Sequence, residues 1–182
     1  MEIIVILLLT ALNGFFALSE IALVSTKKTR LEQLATKGNR RAHIALKLLA
    51  TPEHFLSAMQ VGITLIGVVS GAFGGVALSD DLRPLLEQVG WLRPYSPQLS
   101  LVLVVGLITY LSIVLGELVP KTIALNNPMR VSLAVAPVVA VFTRMTYPAV
   151  WLLSTSTKIM QKILFIKEKP EQPVSDEELK MM

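Results

Sequence analysis

Residues 56–78, LSAMQVGITLIGVVSGAFGGVAL, run for 23 positions without one charge. At about 1.5 Å per residue, such a segment is long enough to cross roughly 30 Å of hydrocarbon as a helix. Two further stretches are of the same kind: residues 3–25, with Glu20 the one charge, and residues 99–124, which reach past Glu117 and Lys121. A soluble domain of 182 residues has too little interior to hide all three. Composition agrees, with 53% hydrophobic and 16% charged residues and a mean hydropathy of +0.62. The chain has no cysteine, which removes disulfide frameworks and thiolate metal centres. The N-terminal MEIIVILLLTALNGFFALSE lacks a basic n-region and an A-x-A cleavage site, so it reads as a retained first span.

A fourth apolar region, 131–156, is interrupted by Pro137, Arg144 and Pro148, and its longest part without a charge, 131–143, is too short to span. Lysine and arginine in the short loops set the orientation. Lys27, Lys28, Arg30, Lys37, Arg40, Arg41 and Lys47 place the first loop in the cytoplasm. The second loop has only Arg83 and Arg93 against Asp80, Asp81 and Glu87, so it faces out, as does the N-terminus. Lys121 and Arg130 precede the fourth region and Lys158, Lys162, Lys167 and Lys169 follow it. With both flanks basic, that region is expected to be a broken helical pair in the inner leaflet, a conventional fourth span being the alternative.

In the cytoplasmic loop, RLEQLATKG and RRAHIALKLLA each place apolar residues at helical spacing with a basic opposite face, separated by KGN. Short helices of this type lie on an anionic membrane surface, which makes membrane lipids partners. TPEHF supplies Thr51 as an N-cap and Pro52 at the first helical position. His43 and His54 have no ligand partner at helical spacing and read as polar surface. In the outer loop, SDDLRPLLEQ resembles a short capped helix, and Trp91 and Tyr95 suit the outer headgroup belt. After residue 166 the chain becomes a polar, proline-bearing linker, and SDEELKMM, with Ser175 and Glu178 at capping-box spacing, starts a helix expected to lead into a cytosolic domain.

Counted from the cytoplasmic ends, Glu20, Gln60, Thr64 and Glu117 all lie at a depth of roughly 8–14 Å. Polar groups at that depth are costly unless they face each other or water. Pro120 removes a backbone donor and is expected to free the Gly116 carbonyl beside Glu117. Ser19, Asn13 and Ser25 add oxygens on the first span. Carboxylate, hydroxyl, amide and carbonyl oxygens suit a hard cation such as Mg2+ or Na+. A simpler reading is available for each group: Glu117 and Lys121 stand at i, i+4 and can form a structural ion pair, Glu20 can snorkel, and Asn13, Ser19 and Thr64 can be interhelical hydrogen bonds. Gly67, Gly71 and Gly75 form a small-residue ridge suited to helix packing, including a dimer seam.

LNGFFALSEIALVS, QVGITLIG and GELVPKTIA, in this order and spacing, resemble the transmembrane domain of the CNNM/CorC family, the Mg2+ transporters once called haemolysin-like. The resemblance covers essentially the whole chain. It implies a homodimer with three spans per subunit, an inner-leaflet helical belt, and cytosolic CBS domains that bind nucleotide beyond this sequence. The implied function is Mg2+ export driven by inward Na+. Residue by residue, it carries over onto Ser19 in the first span and onto Gly116, Glu117, Pro120 and Lys121 in the third. The second span departs from the pattern, since Thr64 and Gly67 stand where many relatives have Asn or Ser; Thr64 is the preferred ligand there and Ser70 the reserve.

The expectation is therefore an all-α integral membrane protein, not an enzyme and not a nucleic-acid binder, in the plasma membrane with its N-terminus outside and C-terminus in the cytoplasm. Residues 1–166 form the transmembrane domain, with spans at about 3–25, 56–78 and 99–124, juxtamembrane helices at about 28–50 and 129–165, and a linker over 167–182. Ser19, Thr64, Gly116 and Glu117 are the expected metal ligands, with Asn13, Glu20, Gln60 and Ser70 as further donors or supports, Pro120 as the kink and Lys121 as its motif partner. A Mg2+-sensing membrane regulator that transports nothing is the rival from another class.

Overall fold

Helix boundaries follow the sequence punctuation closely. A computed structural model describes residues 1–164, which are almost wholly helical. The first span is α1 (Glu2–Ser25), with Glu2 in its first turn, where the helix dipole favours an acid. Two short helices follow, α2 (Lys28–Thr36) and α3 (Arg40–Ala50). The KGN separator is a Schellman turn: Gly38 takes φ +85°, and the Gly38 and Asn39 amides donate to the Ala35 and Leu34 carbonyls. Asn39 then caps α3 by accepting from the Arg41 and Ala42 amides.

The second span belongs to α4 (Pro52–Glu87), 36 residues long, with Pro52 at its start as expected. Thr51 holds the N-cap position but its side chain makes no capping bond. The outer SDDLRPLLE segment is no separate helix; α4 simply continues through it, and through Pro84, into the region past the apolar run. Trp91 and Tyr95 stand exposed in the turn beyond. The chain returns through α5 (Ser96–Ile113), a π-helical turn at Val114–Leu118, and α6 (Val119–Asn126). Next come α7 (Pro128–Met145) and α8 (Tyr147–Ile163).

Proline 137 does not break α7, which runs through it for 18 residues. Inside a membrane protein, neighbouring helices absorb a lost backbone bond that would end a helix in water. The break falls at Thr146 instead, so the pair is α7 and α8. Four helical segments, α1, α4, α5 through α6, and α7, are thus long and apolar enough to cross a membrane, one more than the sequence suggested. Residues 1–150 form one compact unit; the described part of the other, 151–164, completes α8.

Within the first unit α1 is the hub, packing against α4, α7 and the segment from the π turn to α6. One apolar cluster joins Phe16 and Leu23 of α1 to Leu31, Ala45, Leu48, Phe55, Met59 and Val139. A smaller one, Ile6 with Val104 and Ile108, ties α1 to α5 at the other end. Gly74 allows this approach, because a Cβ there would lie 2.6 Å from Ile108 and 2.9 Å from Ile6. Outward-facing Leu, Ile and Val on α1, α4 and α5 are exposed, as lipid-facing side chains should be. Residues near both ends of α7 meet the ends of other helices. Its Ser132 hydroxyl lies 3.0 Å from that of Thr26, just past α1, and Tyr147, two residues beyond its last turn and the first of α8, stacks on His54, near the start of α4, at 6.1 Å. Between them Phe142 packs on Phe16 at 4.5 Å, and α3 lies along α7.

Candidate functional site

The GELVPK segment sits where the helix winding changes. The π turn at Val114–Leu118 places one additional residue in the turn that carries Glu117, and the Val119 amide closes it on the Val114 carbonyl. Such insertions into otherwise regular helices concentrate at functional sites. Two glycines bring α1 against this turn. A Cβ on Gly116 would lie 3.3 Å from Asn13 Nδ2, Thr10 Cγ2 and the Thr10 carbonyl, and one on Gly14 would lie 3.0 Å from Pro120 Cγ. Small residues are what allow membrane helices this approach.

Proline 120 does remove the donor for the Gly116 carbonyl, but that carbonyl is not free as the sequence suggested. Asn13 Nδ2 donates to it at 3.0 Å in a buried position. In hydrocarbon an orphaned backbone acceptor costs several kcal/mol, so a neighbouring helix supplies the missing donor. A carbonyl only accepts, which fixes the amide's orientation and turns Asn13 Oδ1 away. That oxygen is buried and has no hydrogen-bond partner among the described residues. The Thr143 hydroxyl is the other buried polar atom without a partner among the described residues, and a water or an ion can satisfy such a group.

Glu117 is part-buried and its Oε1 accepts from Lys121 Nζ at 2.7 Å, so the i, i+4 ion pair forms. The other carboxylate oxygen has no protein partner among the described residues. Asn13, Thr10 and Gly14 of α1 are thus brought against Gly116 and Pro120, while Glu117 and Lys121 pair with each other on the same turn. The sequence reading missed Thr10 and Gly14. The signal was present, since Thr10, Asn13 and Gly14 follow i, i+3, i+4 on one face of α1.

The remaining candidates lie elsewhere. Ser19 is fully buried but donates to the Phe15 carbonyl at 2.6 Å, and it stands six residues, about 9 Å of helix, beyond Asn13. Glu20 is part-buried and makes no ion pair among the described residues. Gln60 and Thr64 are exposed on α4 and bond only each other, at 3.4 Å. Among the described residues α4 does not pack against the π turn or α6, so neither approaches Glu117 within one subunit. Ser70 is buried on the α4 face that carries Gly74. No cluster of three His, Asp or Glu residues occurs among the described residues, so any cation here would rely on one carboxylate and neutral oxygens.

The family model described as the Cyclin M transmembrane N-terminal domain, CNNM, matches residues 3–182. This chain belongs to the CNNM family. The CNNM domain is 47% identical over its full length to the UPF0053 protein sll0260 of Synechocystis, of which it covers 41%. It is 36% identical, again over its full length, to the UPF0053 protein YhdT of Bacillus subtilis, of which it covers 40%. A polyamine export protein of Haemophilus influenzae is 28% identical over 88% of the CNNM domain and 37% of that protein. The chain therefore spans about two fifths of the length of these relatives. Family and helices together make it an all-α membrane protein.

Proposed function

We propose that this domain exports Mg2+ across the plasma membrane, as a homodimer coupled to Na+ entry. The observation that supports the reading is the unpartnered, buried Asn13 Oδ1, whose amide nitrogen donates to the carbonyl of Gly116, the residue before Glu117. The set offers one negative charge and several neutral oxygens. That suits a divalent ion that keeps part of its water shell. Liposomes containing only the full-length protein should release Mg2+ down a gradient, faster with Na+ on the opposite side. The name of the Haemophilus relative makes a polyamine the competing cargo. A polyamine carries several ammonium groups spaced along a chain, and a single carboxylate matches it poorly. Spermidine efflux without Mg2+ efflux would overturn the proposal, and no flux of either would favour a Mg2+-sensing regulator.

Dimerisation draws support from α4. Gln60, Thr64, Gly67 and Gly71 follow one another at four, three and four residues, on one face, and Gly67 and Gly71 have open space around them. Polar and small residues are costly against lipid and favourable against a second helix. The three-span topology draws support from Ser132 near the start of α7 and Tyr147 just after its end, which contact Thr26 and His54 on either side of the basic α2–α3 loop. The cysteine-free chain permits single-cysteine tests. Asn127→Cys and Lys158→Cys should both be labelled only from the cytoplasmic side, and Gly71→Cys should cross-link between subunits in native membranes. Labelling of Lys158→Cys from outside would end the three-span proposal, and an uncrosslinked Gly71→Cys that elutes as a monomer would end the dimer.

A further inference from the structure

Where α1 ends and α7 begins, the structure holds a pocket of about 450 Å3, within the usual range of small-ligand sites. Lys27, Arg30 and Arg130 line it together with Asn126 and Asn127, and its lining includes no carboxylate among the described residues. Among the described residues none of the three cations makes an ion pair, since the only two pairs there are Arg83–Glu87 and Lys121–Glu117. Two helices also start at this pocket, α2 after Lys27 and α7 after Asn127, and neither N-terminus has a side-chain cap. Pro128 has no amide to offer, so the unpaired amides at the start of α7 are those of Met129 and Arg130. The C-terminal ends of α1 at Ser25 and of α6 at Asn126 meet the two N-termini here, so the helix dipoles offset one another and the positive charge of the pocket is that of Lys27, Arg30 and Arg130. The Thr26–Ser132 contact at 3.0 Å fixes the floor by joining α1 to α7.

We infer that this pocket binds a phosphate group, supplied by the headgroup of an anionic phospholipid. The planar guanidinium fork matches phosphate oxygens in pairs, and here two arginines and a lysine line one pocket with no carboxylate among the described lining residues to satisfy them. The pocket directly follows the 24-residue apolar α1, which places it at the edge of the hydrocarbon, where lipid phosphates lie. A lipid held there would clamp α1, α2 and α7 in one arrangement.

The test uses the purified full-length protein in neutral detergent, with native mass spectrometry counting retained lipids. Phosphatidic acid should be retained and phosphatidylcholine lost. Arg30→Gln with Arg130→Gln should weaken phosphatidic acid binding by about tenfold or more, because two charge-assisted contacts are removed. Arg30→Lys with Arg130→Lys should keep most of it. Arg40→Gln with Arg41→Gln, the same charge change on exposed α3 positions outside the pocket, should change it by less than about twofold. Equal losses from the two glutamine pairs, or none from the pocket pair, would overturn the inference. A soluble arm separates the sources: millimolar inorganic phosphate that displaces the lipid, where chloride does not, would overturn the lipid assignment in favour of a soluble phosphate.

Discussion

Glu117→Gln is expected to abolish the Mg2+-dependent rise in thermal stability and to stop Mg2+ efflux from liposomes, while the protein stays folded. The substitution keeps the size and hydrogen-bonding capacity of the side chain. It removes the only negative charge in the group formed by Asn13, Gly116 and Glu117, and that charge is what offsets partial dehydration of a divalent cation. A contact to a charged group is worth about 1.5–3 kcal/mol, so affinity should fall by more than about tenfold. Lys121 provides the discriminating control, because its ammonium lies 2.7 Å from Glu117 Oε1. If the pair serves only to hold the helix, Lys121→Met should do as much damage as Glu117→Gln. If the carboxylate serves a cation, Lys121→Met removes a competitor and Mg2+ binding should persist or tighten. Calorimetry showing intact Mg2+ binding to Glu117→Gln would remove this residue from the site.

Gly14→Val should do more general harm. A Cβ at Gly14 meets Pro120 Cγ at 3.0 Å and the Leu115 carbonyl at 3.4 Å, one a closed ring and the other backbone, so neither neighbour can swing away. Valine's two further methyl groups would push α1 off the π turn and stretch the Asn13–Gly116 hydrogen bond. Overpacking of this kind costs about 1–3 kcal/mol, and loss of the interhelical bond adds about 1 kcal/mol. A drop in apparent melting temperature and loss of efflux are expected together. Gly106→Val is the control, since a Cβ there meets nothing within 4 Å, and it should change stability by less than about 0.5 kcal/mol. Equal thermal stability of Gly14→Val and Gly106→Val would show that the α1–α6 contact is looser than its geometry implies.

The long apolar helices were legible because lipid imposes a strict rule on composition, as in the charge-free run of residues 56–78. The turn between α2 and α3 was legible because Gly38 and Asn39 have local chemistry that admits few alternatives. Pro137 misled because it removes a single backbone bond, and the packing of α7 on α1, α3 and α4 holds the helix through it. A neighbouring helix hid the true state of Gly116. Its donor, Asn13, lies 103 residues away, and a single sequence carries no mark of such a pairing. The π turn was also illegible, since VLGEL has no residue that demands the additional winding. Glu117 and Lys121 were placed correctly beside each other because their spacing alone brings them together. Thr64 was drawn toward the same site by depth, but depth says nothing about which way a helix face turns.

The pairing of Asn13 with Gly116, and of Thr26 with Ser132 106 residues away, also has a temporal side. The first span leaves the ribosome long before its partners exist. Until the π turn emerges, the Asn13 amide has no Gly116 carbonyl to donate to, and the parts of α1 that pack on α6 and α7 stay uncovered even with α4 in place. The docking of α1 is therefore completed only after residue 116 has been made.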